Sequence, residues 1–360
     1  MENVAATFNQ ALSALNSRNI TEAETLFRQV LARDDAHVPA LNLLTVTLMI
    51  TERFAEAEPF IARAVALNQS SDVSFYNYGL IAKHLNKPRE ALEQFSRSLK
   101  LNPNVRETWN NRGAVRNDLK DYDAAISDFD QATKLDPNYA DAYANKGKSL
   151  VQLKRFDEAL AVLGRALSIS PTLVEAWLYR GNACFELKRY DEAFAAFERA
   201  LSIKPDMAEA LLGRGNVFCE IGRPDEALSA YDQTLALKPD LSEAWLGRGI
   251  IFAFLKRSED ALSAYDKALS INPDLENAWL GRGNAFSDLQ RHDDALAAYD
   301  QALALKPDLA EAWLGRGHVF KFLERFDDAS AAYDKAFSIK PRLKDLEDAR
   351  RPAPDHIPSH

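Results

Sequence analysis

Few residues in this chain of 360 stand at spacings that could support chemistry. His356 and His360 are four positions apart, which on a helix would place both imidazoles on one face and suit a metal ion. Pro358 lies between them and disfavours a helix, so we expect no metal site there. Cys184 and Cys219 make neither a disulfide framework nor a zinc motif, and we interpret both as small structural side chains.

The string Gly213-Arg214-Gly215 looks like the start of a phosphate-binding loop. No strand is predicted before it, and Phe218 stands where a third glycine should be, so helix packing explains the glycines better. A catalytic site needs titratable groups that converge, and no such set is visible here. We therefore expect no catalytic residues, no cofactor and no enzymatic activity.

Composition and charge restrict the partners. The formal net charge of -9 argues against nucleic acid, because binding phosphates needs a basic face. The sequence has no apolar run of about 18 residues, so we expect neither a membrane span nor a membrane partner. Its first residues, Met1 to Ile20, lack the basic start and apolar stretch of a secretory signal. Together with the two cysteines, these features predict a cytoplasmic protein.

The dominant feature of the sequence is a repeat with a period of 34 residues. When each block is numbered from 1 to 34, position 20 is always alanine, and the last eight blocks have glycine at position 8 and proline at position 32. All five tryptophans fall at position 4. The ten blocks are 4–37, 38–71, 72–105, 106–139, 140–173, 174–207, 208–241, 242–275, 276–309 and 310–343.

Each fixed position has a structural explanation. Positions 4, 8 and 11 share one face of a first helix, and positions 20, 24, 27 and 28 share one face of a second helix. Small residues at positions 8 and 20 let the two backbones approach closely, while the ring at position 4 fills the space beside them. Proline at position 32 ends the second helix. Every block is therefore predicted to form a helical hairpin.

This pattern resembles the tetratricopeptide repeat, a helix–turn–helix unit with Trp, Leu-Gly, Tyr, Ala, Phe and Pro at fixed offsets. The resemblance implies an all-α fold, a right-handed superhelical solenoid of ten stacked repeats over residues 1–343, with the first helices lining a concave groove. We expect residues 344–351 to form a capping helix. Residues 352–360 contain three prolines and are predicted to be a disordered tail.

The variable positions 2, 5, 9, 12 and 13 lie on the groove face of the first helices. Asparagine there can pair with the backbone of an extended peptide, leucine adds apolar contact, and glutamate favours a basic or hydroxyl-rich partner. The alternative is that recent duplication copied these residues and that the leucines are buried between helices. The predicted peptide-binding residues are Glu175, Leu178, Asn182, Glu209, Leu212, Asn216, Glu243, Leu246, Leu280, Asn284, Glu311 and Leu314.

Two further patterns are open to more than one interpretation. Six repeats have arginine at position 7 and an acid at position 25, which suggests a ladder of charge-assisted pairs within each repeat or between neighbours. The groove positions of the first three repeats are apolar, as in Phe8, Met49 and Leu80, and divergent packing explains them better than a partner site.

We predict a non-catalytic interaction scaffold that binds an extended peptide or a partner protein in its groove. Two copies could also pair through the solenoid ends. The alternative is a stand-alone or truncated relative of O-linked N-acetylglucosamine transferases, whose repeats these resemble, acting as a substrate adaptor. In that family asparagines at position 6 hold the acceptor chain. Here the asparagines Asn9, Asn77, Asn111 and Asn145 occur only in the N-terminal half, and no transferase domain is present in this sequence.

Overall fold

The computed structural model describes residues 3–343, and over that range its regular secondary structure is entirely helical. The predicted all-α helical-repeat solenoid is confirmed. The helices are α1 (Val4–Asn16), α2 (Ile20–Arg33), α3 (Val38–Ile50), α4 (Phe54–Leu67), α5 (Asp72–His84), α6 (Pro88–Leu101), α7 (Arg106–Asp118), α8 (Tyr122–Leu135), α9 (Ala140–Gln152), α10 (Phe156–Ile169), α11 (Val174–Glu186), α12 (Tyr190–Ile203), α13 (Ala208–Glu220), α14 (Pro224–Leu237), α15 (Ser242–Phe254), α16 (Ser258–Ile271), α17 (Glu276–Asp288), α18 (His292–Leu305), α19 (Ala310–Phe322) and α20 (Phe326–Ile339).

The described part of the chain forms two compact units, which divide between Lys188 and Arg189. Unit 1 holds α1 to α11, and unit 2 holds α12 to α20. In each unit a helix packs against its neighbours in the chain, and from α3 onward each odd-numbered helix also contacts the next odd-numbered helix of its unit. The odd-numbered helices, which are the first helices of the repeats, therefore form a continuous layer within each unit. The segments expected to be a capping helix and a tail lie outside the described residues.

The turn inside each hairpin uses one residue in the left-handed region, at position 15 of the repeat. Lys120, Lys256 and Gln290 have φ of 62°, 60° and 59°, and the seventh repeat has Gly222 at φ 72°. This residue ends the first helix, because its N–H and the following N–H bond back to carbonyls of the last helical turn, as Lys120 does to Asn117. Glycine is the usual residue in this left-handed conformation, yet every turn except that of the seventh repeat uses a residue with a longer side chain.

The core of unit 2 is organised around the aromatic ring at position 24. The Tyr231 ring lies between two glycines: Gly215 of its own repeat and Gly247 of the next. A Cβ added to Gly215 would lie 2.7 Å from Tyr231 Cε1, and one added to Gly247 would lie 2.5 Å from Cζ. Tyr265 and Tyr299 are held in the same way. Position 8 was predicted to be a packing position, but sequence reasoning did not recognise that position 6 is glycine for the same reason.

The arginine ladder runs between neighbouring repeats. In unit 2 the arginine of one repeat pairs with the acid of the preceding repeat, with Arg282 Nε 2.8 Å from Asp266 Oδ1. The same guanidinium lies 5.2 Å from the Trp279 ring and 5.0 Å from the Phe286 ring, so the arginine is packed while its acid stays exposed. Equivalent pairs join Arg214 to Glu198, Arg248 to Asp232 and Arg316 to Asp300.

Unit 1 departs from the ladder in the fourth repeat. Arg112 pairs with Asp128 of its own repeat, and not with Asp130, at 2.6 Å from Nη2 to Oδ1. Arg116 Nη1 lies 2.8 Å from the other carboxylate oxygen of Asp128. The carboxylate is 1% exposed, which makes it a buried charge held by two arginines. Asp130 instead pairs with Lys146 of the next repeat.

We expect Gly247→Ala to destabilise the protein, because its methyl group would overlap the Tyr231 ring. Overpacking of this kind costs about 1–3 kcal/mol, and urea unfolding of the purified chain would measure it. Gly164→Ala is the matched control: it lies inside α10 with nothing within 4 Å of the added Cβ. The control should gain roughly 0.5–1 kcal/mol from helix propensity. If the two variants changed the free energy of unfolding by the same amount, the packing described here would be contradicted.

We expect Asp128→Ala to cost far more stability than Asp266→Ala. The first variant leaves Arg112 and Arg116 without their counter-charge in the core, which costs about 3–5 kcal/mol. The second removes one partner of a half-exposed pair, which costs less than about 1 kcal/mol. Thermal and urea unfolding of both variants would measure the difference, and a larger loss in Asp266→Ala would refute it.

Candidate peptide-binding face

The predicted binding residues divide between the two units. Glu175, Leu178 and Asn182 lie on α11 of unit 1, and the other nine lie on α13, α15, α17 and α19 of unit 2. We call positions 2, 5, 9, 12 and 13 of those four helices the unit 2 first-helix face. This face is considered by itself below.

The leucines at position 5 are mainly packing residues. Leu178 is buried at 6% exposure, and Leu246 and Leu280 are half-buried against the core of unit 2. Leu212 packs in the same way on the core of the seventh and eighth repeats, and Leu314 is half-buried. These side chains present only part of their surface to a ligand.

The asparagines of unit 2 are oriented by the buried tyrosines. The Tyr231 hydroxyl donates a hydrogen bond to Asn216 Oδ1 at 2.9 Å, and the Tyr299 hydroxyl donates to Asn284 Oδ1 at 2.8 Å. Burial raises the pKa of both phenols, so each remains a protonated donor at neutral pH. The bond from the tyrosine uses one of the two lone pairs of Oδ1 and orients the amide, which leaves the N–H groups of Nδ2 to donate to a ligand.

The glutamates at position 2 are partly neutralised. Lys238 Nζ lies 2.5 Å from Glu209 Oε1, and Lys340 Nζ lies 2.7 Å from Glu311 Oε1. The hydrogen bond from the lysine lowers the pKa of each glutamate. Glu243 accepts a hydrogen bond from the Ser242 hydroxyl at 3.0 Å. Sequence reasoning missed these lysines, which stand 29 residues further along the chain.

The side chains at position 13 were also missed as individual candidates. Phe254 and Phe322 are 68% and 63% exposed, and Glu220 is exposed as well. Position 9 of the eighth repeat is Ile250, which is 43% exposed. The sequence placed these positions on the groove face, but only the structure shows how much apolar surface they leave open.

Family models of the tetratricopeptide repeat match most of the sequence. The matched residues are 8–72, 73–105, 107–139, 145–208, 184–249, 242–275, 283–321 and 310–343. The chain belongs to the tetratricopeptide repeat family. A search of curated protein sequences returns no match.

Several solved structures are similar to this tetratricopeptide repeat chain. A tetratricopeptide repeat protein from Parabacteroides merdae is 19% identical, with 67% of this chain and 96% of that chain covered and a TM-score of 0.53. YrrB, described as a TPR protein with an unusual peptide-binding site, is 24% identical over 51% of this chain and 95% of its own, with a TM-score of 0.41. MamA is 22% identical over 46% of this chain and 96% of its own, also at 0.41.

The first-helix layer of unit 1 has a different character. In its first repeats Phe8 packs inward against the rings of Phe27 and His37, whereas Ile50 is 55% exposed. In the fourth and fifth repeats the amides bond to one another, with Asn145 Nδ2 donating to Asn110 Oδ1 at 3.0 Å. Phe8, Asn110 and Asn145 are therefore already engaged within the protein.

Two searches of the structure bear on other kinds of site. Within residues 3–343, no group of three or more His, Cys, Asp or Glu side chains could hold a metal ion. His356 and His360 lie outside that range. None of the helices in this part of the chain combines the length and apolar character that crossing a bilayer requires.

We expect Tyr231→Phe to destabilise the protein more than Tyr265→Phe. The first variant removes the donor to Asn216 Oδ1, a loss of about 0.5–1.5 kcal/mol. The second is a matched control, because the eighth repeat has Ile250 at position 9 and its side chain cannot accept a hydrogen bond. Urea unfolding would compare them, and indistinguishable losses would show that the bond to Asn216 contributes nothing.

Proposed function

We propose that this tetratricopeptide repeat chain is a non-catalytic, cytoplasmic interaction scaffold that binds an extended segment of a protein partner. The binding surface is the unit 2 first-helix face. The observation that carries the proposal is the pair of oriented amides, Asn216 and Asn284, each held by a buried tyrosine hydroxyl.

The chemistry of these amides fits a polypeptide backbone. A fixed Nδ2 donor recognises a carbonyl oxygen, which every peptide unit supplies irrespective of sequence. The two amides lie two repeats apart on the same face, so they would bind one chain at two separated points. Holding each amide in place beforehand reduces the entropy that binding would otherwise lose.

Charge favours a basic or neutral segment over an acidic one. Glu220, Glu243 and Asp288 line the same face, and Lys321 contributes the opposite charge at its end. An acidic peptide tail would meet repulsion along most of this surface. The net charge of -9 likewise disfavours a nucleic acid.

The test is to remove both amides. An array of randomised twelve-residue peptides is probed with the wild-type chain, and affinities of the captured peptides are measured by fluorescence anisotropy. We expect Asn216→Ala/Asn284→Ala to weaken binding about 5- to 150-fold, because two hydrogen bonds are worth roughly 1–3 kcal/mol. Gln301→Ala, which removes an exposed amide from α18, is the control and should change nothing. Unchanged binding by the double variant would contradict the proposal.

The transferase-adaptor alternative rests on the asparagines at position 6 in the N-terminal half. Two of them are engaged within the protein: Asn145 donates to Asn110, and Asn111 donates to the Tyr76 hydroxyl at 3.2 Å. These contacts favour a structural role for the amides. The alternative is favoured only if peptide binding depends on Asn111 and Asn145 while the unit 2 double variant binds normally. Sugar-nucleotide hydrolysis above background by the purified chain would overturn the non-catalytic assignment.

A further inference from the structure

The unit 2 first-helix face alternates in chemistry from one repeat to the next. The seventh and ninth repeats carry Asn216 with Glu220 and Asn284 with Asp288 at positions 9 and 13. The eighth and tenth repeats replace the position 13 acid with a largely exposed phenylalanine. The alternation is a property of these side chains and not of the core, because the position 24 tyrosine is the same in all four repeats.

The eighth repeat forms a small apolar cavity against the seventh. Its volume is about 100 Å³, and it is partly open to solvent. The lining residues are Cys219, Gly222, Pro224, Ile250, Ile251 and Phe254. A dry cavity of about 150 Å³ can hold one benzene ring. The smaller volume here suits an aliphatic side chain of about four carbons better than an indole.

Charged and polar groups stand directly beside this cavity. Glu220 follows Cys219 on α13, and its exposed carboxylate accepts a hydrogen bond from the Tyr190 hydroxyl at 3.0 Å. Cys219 lines the cavity, and burial first, and then the neighbouring Glu220 carboxylate, raises the pKa of its thiol. Asn216, one helical turn before Glu220, offers its Nδ2 donor on the same face.

We propose that the Cys219–Ile250–Phe254 cavity takes one aliphatic side chain of the bound segment, while Glu220 pairs with a lysine or arginine next to it. The ligand class is thus an extended peptide with an adjacent aliphatic and basic residue. This inference rests on the proposed function and narrows it. Backbone recognition by the asparagines is indifferent to sequence, whereas the cavity and Glu220 together supply selectivity.

The repeat architecture provides a conservative way to test this. Ile250→Asn/Phe254→Glu gives the eighth repeat the residues that the seventh carries at the same positions. The fold should survive, because Asn216 and Asn284 already occupy position 9 beside tyrosines equivalent to Tyr265. Circular dichroism and urea unfolding would establish that the variant is folded.

The probes are three synthetic peptides with the cores Lys-Leu-Lys, Lys-Ser-Lys and Glu-Leu-Glu, each flanked by Gly and Ser. Their binding to the isotopically labelled full chain is followed by NMR titration up to millimolar concentration. We expect wild type to bind the Lys-Leu-Lys peptide about tenfold more tightly than either other peptide, and we expect the shifts to centre on Cys219, Ile250 and Phe254. In Ile250→Asn/Phe254→Glu the preference for leucine over serine should disappear.

The outcomes separate this inference from the proposed function. Equal binding of the leucine and serine peptides, or no binding of the leucine peptide, overturns the cavity as a selectivity site. In that case the proposed scaffold function would still be supported if the wild-type chain bound array peptides and the Asn216→Ala/Asn284→Ala variant bound them more weakly. A leucine preference that persists in the Ile250→Asn/Phe254→Glu variant would likewise refute the cavity while leaving the scaffold standing.

Discussion

One steric constraint underlies unit 2: an aromatic ring at position 24 fits between glycines on two consecutive first helices. Tyr231 touches Gly215 within its repeat and Gly247 in the next, and neither position has room for a methyl group. The two helices approach closely because those glycines carry no side chain, and the ring fills the space that remains. Tyr231, Tyr265 and Tyr299 therefore each join a hairpin to the next one. One hairpin alone could not bury this surface, which is why stability in such an array comes from the contacts between repeats.

The same ring connects the core to the candidate binding face. A tyrosine held this tightly places its hydroxyl at a fixed point, where it donates to Asn216 or Asn284. The orientation of those amides is then set by core packing and not by solvent. Where position 9 is Ile250, the ring packs identically but the face becomes apolar, and a cavity opens beside Cys219 and Phe254. One scaffold thus presents two chemistries through changes at two variable positions.

The sequence predicted the all-α fold because the fixed positions recur in most of the repeats and match helical periodicity. The sequence could not show which repeat supplies the acidic partner of each arginine. One acidic residue lies 16 positions before Arg282 and another lies 18 positions after it, and both are plausible partners until the stacking of the hairpins is known. Pairs within a repeat and pairs between repeats therefore both remained possible. The structure shows that Arg282 pairs with Asp266 of the preceding repeat. The role of glycine at position 6 depends on the same stacking. Leu178 and Leu246 were predicted to contact a ligand. Their position lies at the boundary between the groove face and the packed face of the helix, so only the structure shows how much of each leucine is covered.

The central claim is that core tyrosines orient asparagine amides to bind a peptide backbone. The most direct measurement is a crystal structure of the chain with one of its array-selected peptides bound. We predict that Nδ2 of Asn216 and of Asn284 lies about 2.9 Å from peptide carbonyl oxygens, with each Oδ1 still accepting from its tyrosine hydroxyl. A peptide bound to the second helices, or amides that turn Oδ1 toward the ligand and leave the tyrosines, would contradict the account.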